Sequence, residues 1–95
     1  MNLWLYDIAS GSSTQILKLD EDINYPSWSP DGKKIAFYLA DPRNIWGKGT
    51  LQAIDIVTKE VEKLHKALFV PSQPSWSPDG ETIALSALDV YSSRF

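Results

Sequence analysis

The chain has 95 residues, of which 43% are hydrophobic and 22% charged, with a net charge of −3 and a pI of about 4.9. That balance suits one small globular domain and excludes a disordered chain, while the acidic excess argues against nucleic acid and anionic membrane as partners. The absence of cysteine rules out a disulfide framework, a thiol nucleophile and a thiolate metal site.

No apolar run approaches the ~18 residues of a membrane span, so membrane insertion is not expected. Met1-Asn2-Leu3-Trp4-Leu5-Tyr6-Asp7 lacks the basic and long apolar regions of a signal peptide. If the parent protein is exported, its signal is expected outside this chain, and composition fixes no compartment.

In chain order, residues 3–8 alternate as a strand, Ser10-Gly11-Ser12 supplies a turn, and residues 14–19 form a second strand. Residues 20–25 read as an acidic linker. Short strands around Trp28 and over residues 35–40 flank a turn at Ser29-Pro30-Asp31-Gly32. After a loop over residues 41–49, the same order recurs: strands at 50–57 and 61–66, a linker at 67–72, a strand at Trp76, a turn at Ser77-Pro78-Asp79-Gly80 and a strand at 82–88. On the strand at 50–57, Leu51, Ala53 and Val57 are expected on one face, with Ile54 and Ile56 on the other. Residues 59–68 contain good helix formers. Their counterparts 11–20 are rich in Ser, Thr and Gly, so both segments read as strands.

The recurrence is an internal repeat. Pro26-Ser27-Trp28-Ser29-Pro30-Asp31-Gly32 and Pro74-Ser75-Trp76-Ser77-Pro78-Asp79-Gly80 are offset by 48 residues, and the offset holds from Leu3/Leu51 through Asp41/Asp89 without a gap. A period of about 20–50 residues marks a repeat architecture. The recurring turn has a physical reason. Proline presets φ, Asp bonds local backbone, and Gly accepts positive φ, which together make a tight hairpin connection with a glycine bulge. Ala36 and Ala84 in the strands that follow imply close approach of a neighbouring sheet. Trp28 and Trp76 are expected to bury their rings between layers, each indole N–H finding an acceptor. Asp7 and Asp55 are expected to cap the turns that follow them.

Trp-Ser-Pro-Asp-Gly followed by Ile35-Ala36-Phe37 or Ile83-Ala84-Leu85 resembles the TolB-like, WD-repeat-like β-propeller repeat, over essentially the whole chain. The resemblance implies an all-β fold of antiparallel four-stranded blades, in which the phrase forms the inner two strands and the flanking runs the outer two. Residues 1–25 then supply the outer strands of one blade, 26–66 a complete blade, and 67–95 a linker and the inner strands of the next. At 48 residues per repeat a six-bladed ring needs roughly 290 residues. Truncation of a larger ring is therefore the expectation, with assembly of several copies the alternative. The structural motif residues are Trp28, Ser29, Pro30, Asp31, Gly32, Trp76, Ser77, Pro78, Asp79 and Gly80.

Chemistry is sparse. His65 is the one histidine, stands among Lys63 and Lys66 without a G-x-S-x-G elbow, and reads as a surface residue. Asp20-x-Asp22-x-Asn24 begins like a calcium loop, but Tyr25 replaces the required glycine and Asp31 the terminal glutamate, so it reads as solvated. Gly47-Lys48-Gly49-Thr50 lacks the upstream glycine of a phosphate loop and reads as a strand-connecting turn. No catalytic set, cofactor or metal is expected. The distinctive loop is 41–49, with Arg43, Asn44 and Trp46, together with its counterparts Tyr91 and Arg94. Arginine and aromatics are enriched at binding hot spots, whereas packing of Trp46 on a neighbouring blade is the blander reading.

Two functional readings stand. The TolB-like resemblance implies a scaffold binding protein or peptide, often in the bacterial envelope and hence periplasmic. The alternative is the propeller portion of a larger hydrolase, of prolyl-oligopeptidase or amidohydrolase type, with chemistry outside these residues. The expected partners are further blades or other copies of the chain, and a protein or peptide ligand.

Overall fold

A computed structural model describes residues 1–40, 48–69 and 71–87. Eight strands follow one another: β1 (Asn2–Tyr6), β2 (Ser13–Lys18), β3 (Ile23–Trp28), β4 (Lys34–Ala40), β5 (Lys48–Asp55), β6 (Val61–Phe69), β7 (Ser75–Trp76) and β8 (Ile83–Ala84). Among the described residues there is no helix. Every pairing is antiparallel, in three sheets: β1-β2, β3-β4-β5-β6 and β7-β8. The middle sheet is a complete four-stranded blade, flanked by a hairpin of outer-strand type and a hairpin of inner-strand type.

The 48-residue repeat is reproduced in the pairing. Ile35 faces Ile54 and Ala36 faces Ala53 across β4 and β5, while Trp28 faces Ile35 as Trp76 faces Ile83. Beyond β7 and β8, the Ser72 amide donates to the Ser86 carbonyl at 2.8 Å and the Ser86 amide to the Ser72 hydroxyl at 2.9 Å. This clasp repeats the register of Asn24 opposite Tyr38.

The core lies between β1-β2 and the blade. Leu3 and Ile16 point from the hairpin onto Ile35, Phe37 and Ile54, the last two fully buried, with Leu5 and Leu17 at the margin. Burying each such side chain contributes about 1.5–3 kcal/mol. Residues 35–38 of β4 are all buried, so both of its faces are covered, as a central blade strand requires. The small pair Ala36 and Ala53 lies on the face turned to β7-β8.

Several expectations are corrected. The linker at 20–25 is shorter, because β3 starts at Ile23, which is buried. The strand continues through an irregularity between Asn24 and Ser27, where Tyr25 takes a φ of 58° and Pro26 has no amide to donate. β6 continues to Phe69 instead of stopping at 66, since Gly49 and Lys48 carry the ladder on to Leu68 and Phe69. The blade is therefore wider than 26–66. Lys48, Gly49 and Thr50 stand in β5 itself and not in a connecting turn. A side chain at Gly49 would collide with the Leu39 carbonyl and the Tyr38 ring, which explains the glycine. Val57 is 80% exposed, because the chain has already entered the turn after β5. Of the strand expected at 82–88, the described residues are regular over Ile83–Ala84, and residue 88 lies outside them.

Candidate functional site

The two Ser-Pro-Asp-Gly turns are the same hydrogen-bonded object. In the first, the Ser29 amide donates to the Lys34 carbonyl (2.9 Å) and the Gly32 amide to the Ser29 carbonyl (3.0 Å). The Ser29 hydroxyl donates to Asp31 Oδ1 (2.7 Å) and accepts from the Lys34 amide (3.0 Å), while the Lys33 amide donates to Asp31 Oδ1 (3.0 Å). Ser77, Asp79, Gly80, Glu81 and Thr82 repeat each bond. Gly32 and Gly80 have φ of 74° and 75°, the left-handed region that glycine occupies freely. The Ser29 hydroxyl, then the Lys33 amide, hold the Asp31 carboxyl below its usual range; the Ser77 hydroxyl and Glu81 amide do the same for Asp79.

Asp55 caps its turn as expected, accepting from the Val57 and Thr58 amides at 2.8 and 3.0 Å, and Asp7 does so for Ala9 and Ser10. The Thr58 and Val57 amides lower the Asp55 carboxyl. These carboxylates are turn braces, bonded to their own backbone.

Trp76 places its ring between blade and hairpin, and its indole N–H donates to the Ser27 carbonyl at 3.0 Å. Trp28 does not follow: it is 52% exposed. A residue that motif reasoning missed joins Trp76. Gln73 Nε2 donates to the Pro26 carbonyl at 2.9 Å and reaches the Tyr25 carbonyl at 3.4 Å. Its repeat counterpart is Tyr25, so no recurrence marks it.

Between blade and hairpin lies a wedge of about 420 Å³. Leu51, Ala53 and Leu64 of the blade and Trp76 and Ile83 of the hairpin line it, together with Asp31, Glu62, Asp79 and Glu81. Lys34 answers part of that charge through an exposed ion pair with Glu62 at 3.3 Å, a type of contact worth under about 1 kcal/mol. The cleft is thus lined by apolar side chains and carboxylates together, and it sits between the blade and the β7-β8 hairpin.

The residues singled out for binding, Arg43, Asn44, Trp46, Tyr91 and Arg94, lie outside the described residues. His65 stands exposed on β6 opposite Leu51. Asn24 is paired in β3, so the Asp20-x-Asp22-x-Asn24 run does not continue as a loop.

A four-stranded antiparallel blade, flanked at a fixed repeat by a hairpin on each face, defines a segment of a β-propeller. The chain belongs to the family of the dipeptidyl peptidase IV (DPP IV) N-terminal region, whose profile matches residues 1–91. That region is a propeller domain. Comparison with curated proteins finds no match.

Proposed function

We propose that this chain is propeller from a peptidase of the dipeptidyl peptidase IV type, admitting and positioning peptide substrate, with no catalysis of its own. The observation that carries the reading is the family match over residues 1–91, taken with a blade geometry in which Asp31, Asp55 and Asp79 are committed to turns. A propeller contributes rigid loops and an entrance. Bond cleavage would then fall to a serine nucleophile with its base and oxyanion donors outside these residues.

The finer likeness to TolB-type repeats, carried by Trp-Ser-Pro-Asp-Gly, favours a second reading: a scaffold that binds protein or peptide with no attached hydrolase. An active-site probe separates the two. The natural protein, recovered with an antibody against this chain, is treated with a fluorophosphonate that labels activated serine. A labelled polypeptide that releases dipeptides from peptide substrates supports the peptidase reading. An unlabelled polypeptide that still binds peptide refutes it in favour of the scaffold.

A further inference from the structure

The repeated turn sets a chemically labile link at two positions. The nitrogen that follows an aspartate can attack the carbon of its side-chain carboxyl. A C–N bond forms and closes a five-membered succinimide. The protonated carboxyl gives up its hydroxyl, which leaves with the amide proton as one molecule of water. Water then opens the ring at either carbonyl. One opening restores aspartate, and the other leaves the main chain running through the side chain as isoaspartate. The sum is an isomerisation, without change of mass and without an oxidant or co-reactant.

A side chain on the following residue obstructs the attack, and glycine has none. Elsewhere in this chain aspartate and asparagine are followed by Ile, Val, Leu, Tyr, Glu or Pro; Asp31-Gly32 and Asp79-Gly80 alone have glycine. The turn needs it there, because Gly32 and Gly80 have φ of 74° and 75°. A side chain at Gly32 would meet nothing within 4 Å, so backbone conformation and not space demands the glycine. Asp31 and Gly32 are also exposed, so burial does not keep water from them.

What restrains the link is the hydrogen bonding of both reacting groups. The Gly32 N–H donates to the Ser29 carbonyl at 3.0 Å. Asp31 Oδ1 accepts from the Ser29 hydroxyl at 2.7 Å and from the Lys33 amide at 3.0 Å. Attack requires the nitrogen to release its proton and the carboxyl to swing back onto its own peptide, and each movement breaks one of these bonds. Ser29 thus holds both partners, the nitrogen by its carbonyl and the carboxylate by its hydroxyl. Ser77 does the same for Gly80 at 2.9 Å and for Asp79 at 2.5 Å, with the Glu81 amide as second donor at 3.0 Å. The same donors keep both carboxyls ionised, and an ionised carboxyl has no hydroxyl to lose.

We propose that the serine of each Ser-Pro-Asp-Gly turn guards the Asp-Gly link against succinimide closure, so that Asp31 and Asp79 are latent isoaspartate sites exposed when the hydroxyl is lost. Isoaspartate at position 31 lengthens the main chain inside a turn closed by the Ser29 amide on the Lys34 carbonyl at 2.9 Å, and so disturbs the start of β4. The serine then preserves the hairpin chemically as well as bracing it. The inference rests on the turn geometry and is independent of the peptidase reading.

Ageing the folded 95-residue chain for weeks near neutral pH tests it. Trypsin releases Asp31 within residues 19–33 and Asp79 within residues 67–94, so the two sites are read separately. Chromatography separates isoaspartyl from aspartyl peptides of equal mass, and methyl transfer by an isoaspartyl methyltransferase counts them. In guanidinium the two sites should isomerise at similar rates, since both lie in Ser-Pro-Asp-Gly. In the folded chain each should be at least about tenfold slower, the factor expected of one or two net hydrogen bonds. Ser77→Ala should speed position 79 by about three- to tenfold and leave position 31 unchanged, and Ser29→Ala should do the reverse. Ser77→Thr keeps the hydroxyl and should keep the wild-type rate. A rise at both sites in either alanine variant would trace the effect to global unfolding and overturn the proposal. Equal rates in folded and unfolded chain, or alanine variants that isomerise no faster than wild type, would overturn it too.

Discussion

Replacing Ser29 with alanine tests whether the repeated turn is held by its serine as the hydrogen bonds imply. Ser29 is 7% exposed and its hydroxyl bridges two groups, donating to Asp31 Oδ1 at 2.7 Å and accepting from the Lys34 amide at 3.0 Å. Asp31 faces water and rehydrates when the hydroxyl leaves. The Lys34 amide opens β4 and loses its acceptor at a half-buried position, for which the expected penalty is about 1–3 kcal/mol. Ser77→Ala deletes the same bonds, but Thr82 is exposed, and water can take the place of the hydroxyl there, so the expected loss is below about 1 kcal/mol. Urea unfolding followed by tryptophan fluorescence reads the difference, with all variants at one protein concentration. With m near 2 kcal/mol/M, Ser29→Ala should lower the midpoint by about 1 M at unchanged m, and Ser77→Ala by less than half of that. Equal losses at the two positions would show that burial does not set the cost. A Ser29→Ala midpoint within about 0.2 M of wild type would refute the bridging role altogether.

Two further outcomes follow from the turns. Lys59 has a φ of 66° at the position where the first repeat has Gly11 at 74°. Relief of the left-handed strain, about 1–2 kcal/mol, exceeds the entropy cost of glycine, so Lys59→Gly should gain about 0.5 kcal/mol and raise Tm by roughly 2–4 °C; a lower Tm would contradict this. The carboxyls of Asp31, Asp55 and Asp79 lie below their usual range in the folded chain, held there by hydroxyl and amide donors. Their contribution is complete above the unfolded carboxylate pKa of about 3.9 and is lost as pH falls through the lower folded values. Tm should thus be flat from pH 7 to about 5 and fall below about 4, with a shallower fall in Asp31→Asn/Asp79→Asn. An acid transition unchanged by those substitutions would rule out the turn carboxylates as its source.

Features set by neighbouring residues were legible in the sequence. The Ser-Pro-Asp-Gly turns, the capping by Asp7 and Asp55 and the order of strands all follow from short-range chemistry and a doubled pattern. Features set by the neighbouring blade were not. Trp28 is identical to Trp76 in local sequence yet differs in exposure, because burial of an indole belongs to the surface opposite it. The irregularity at Tyr25 was hidden because Pro26 breaks a strand pattern that backbone pairing restores on either side. The wedge walled by Leu51 and Leu64 arises from the spacing of two sheets, which no single segment encodes. Gln73 carries no repeat partner, and only its contact with the Tyr25 and Pro26 carbonyls reveals it.

The contacts between blade and hairpin have an evolutionary corollary. Trp76 and Gln73 both address main-chain carbonyls, those of Ser27, Pro26 and Tyr25. A main-chain acceptor persists through almost any substitution at its own position. Mutations in one blade therefore need not be answered by matched changes in its neighbour. Duplicated units joined this way can drift apart in sequence, acquiring separate loops, while the joint that stacks them stays intact.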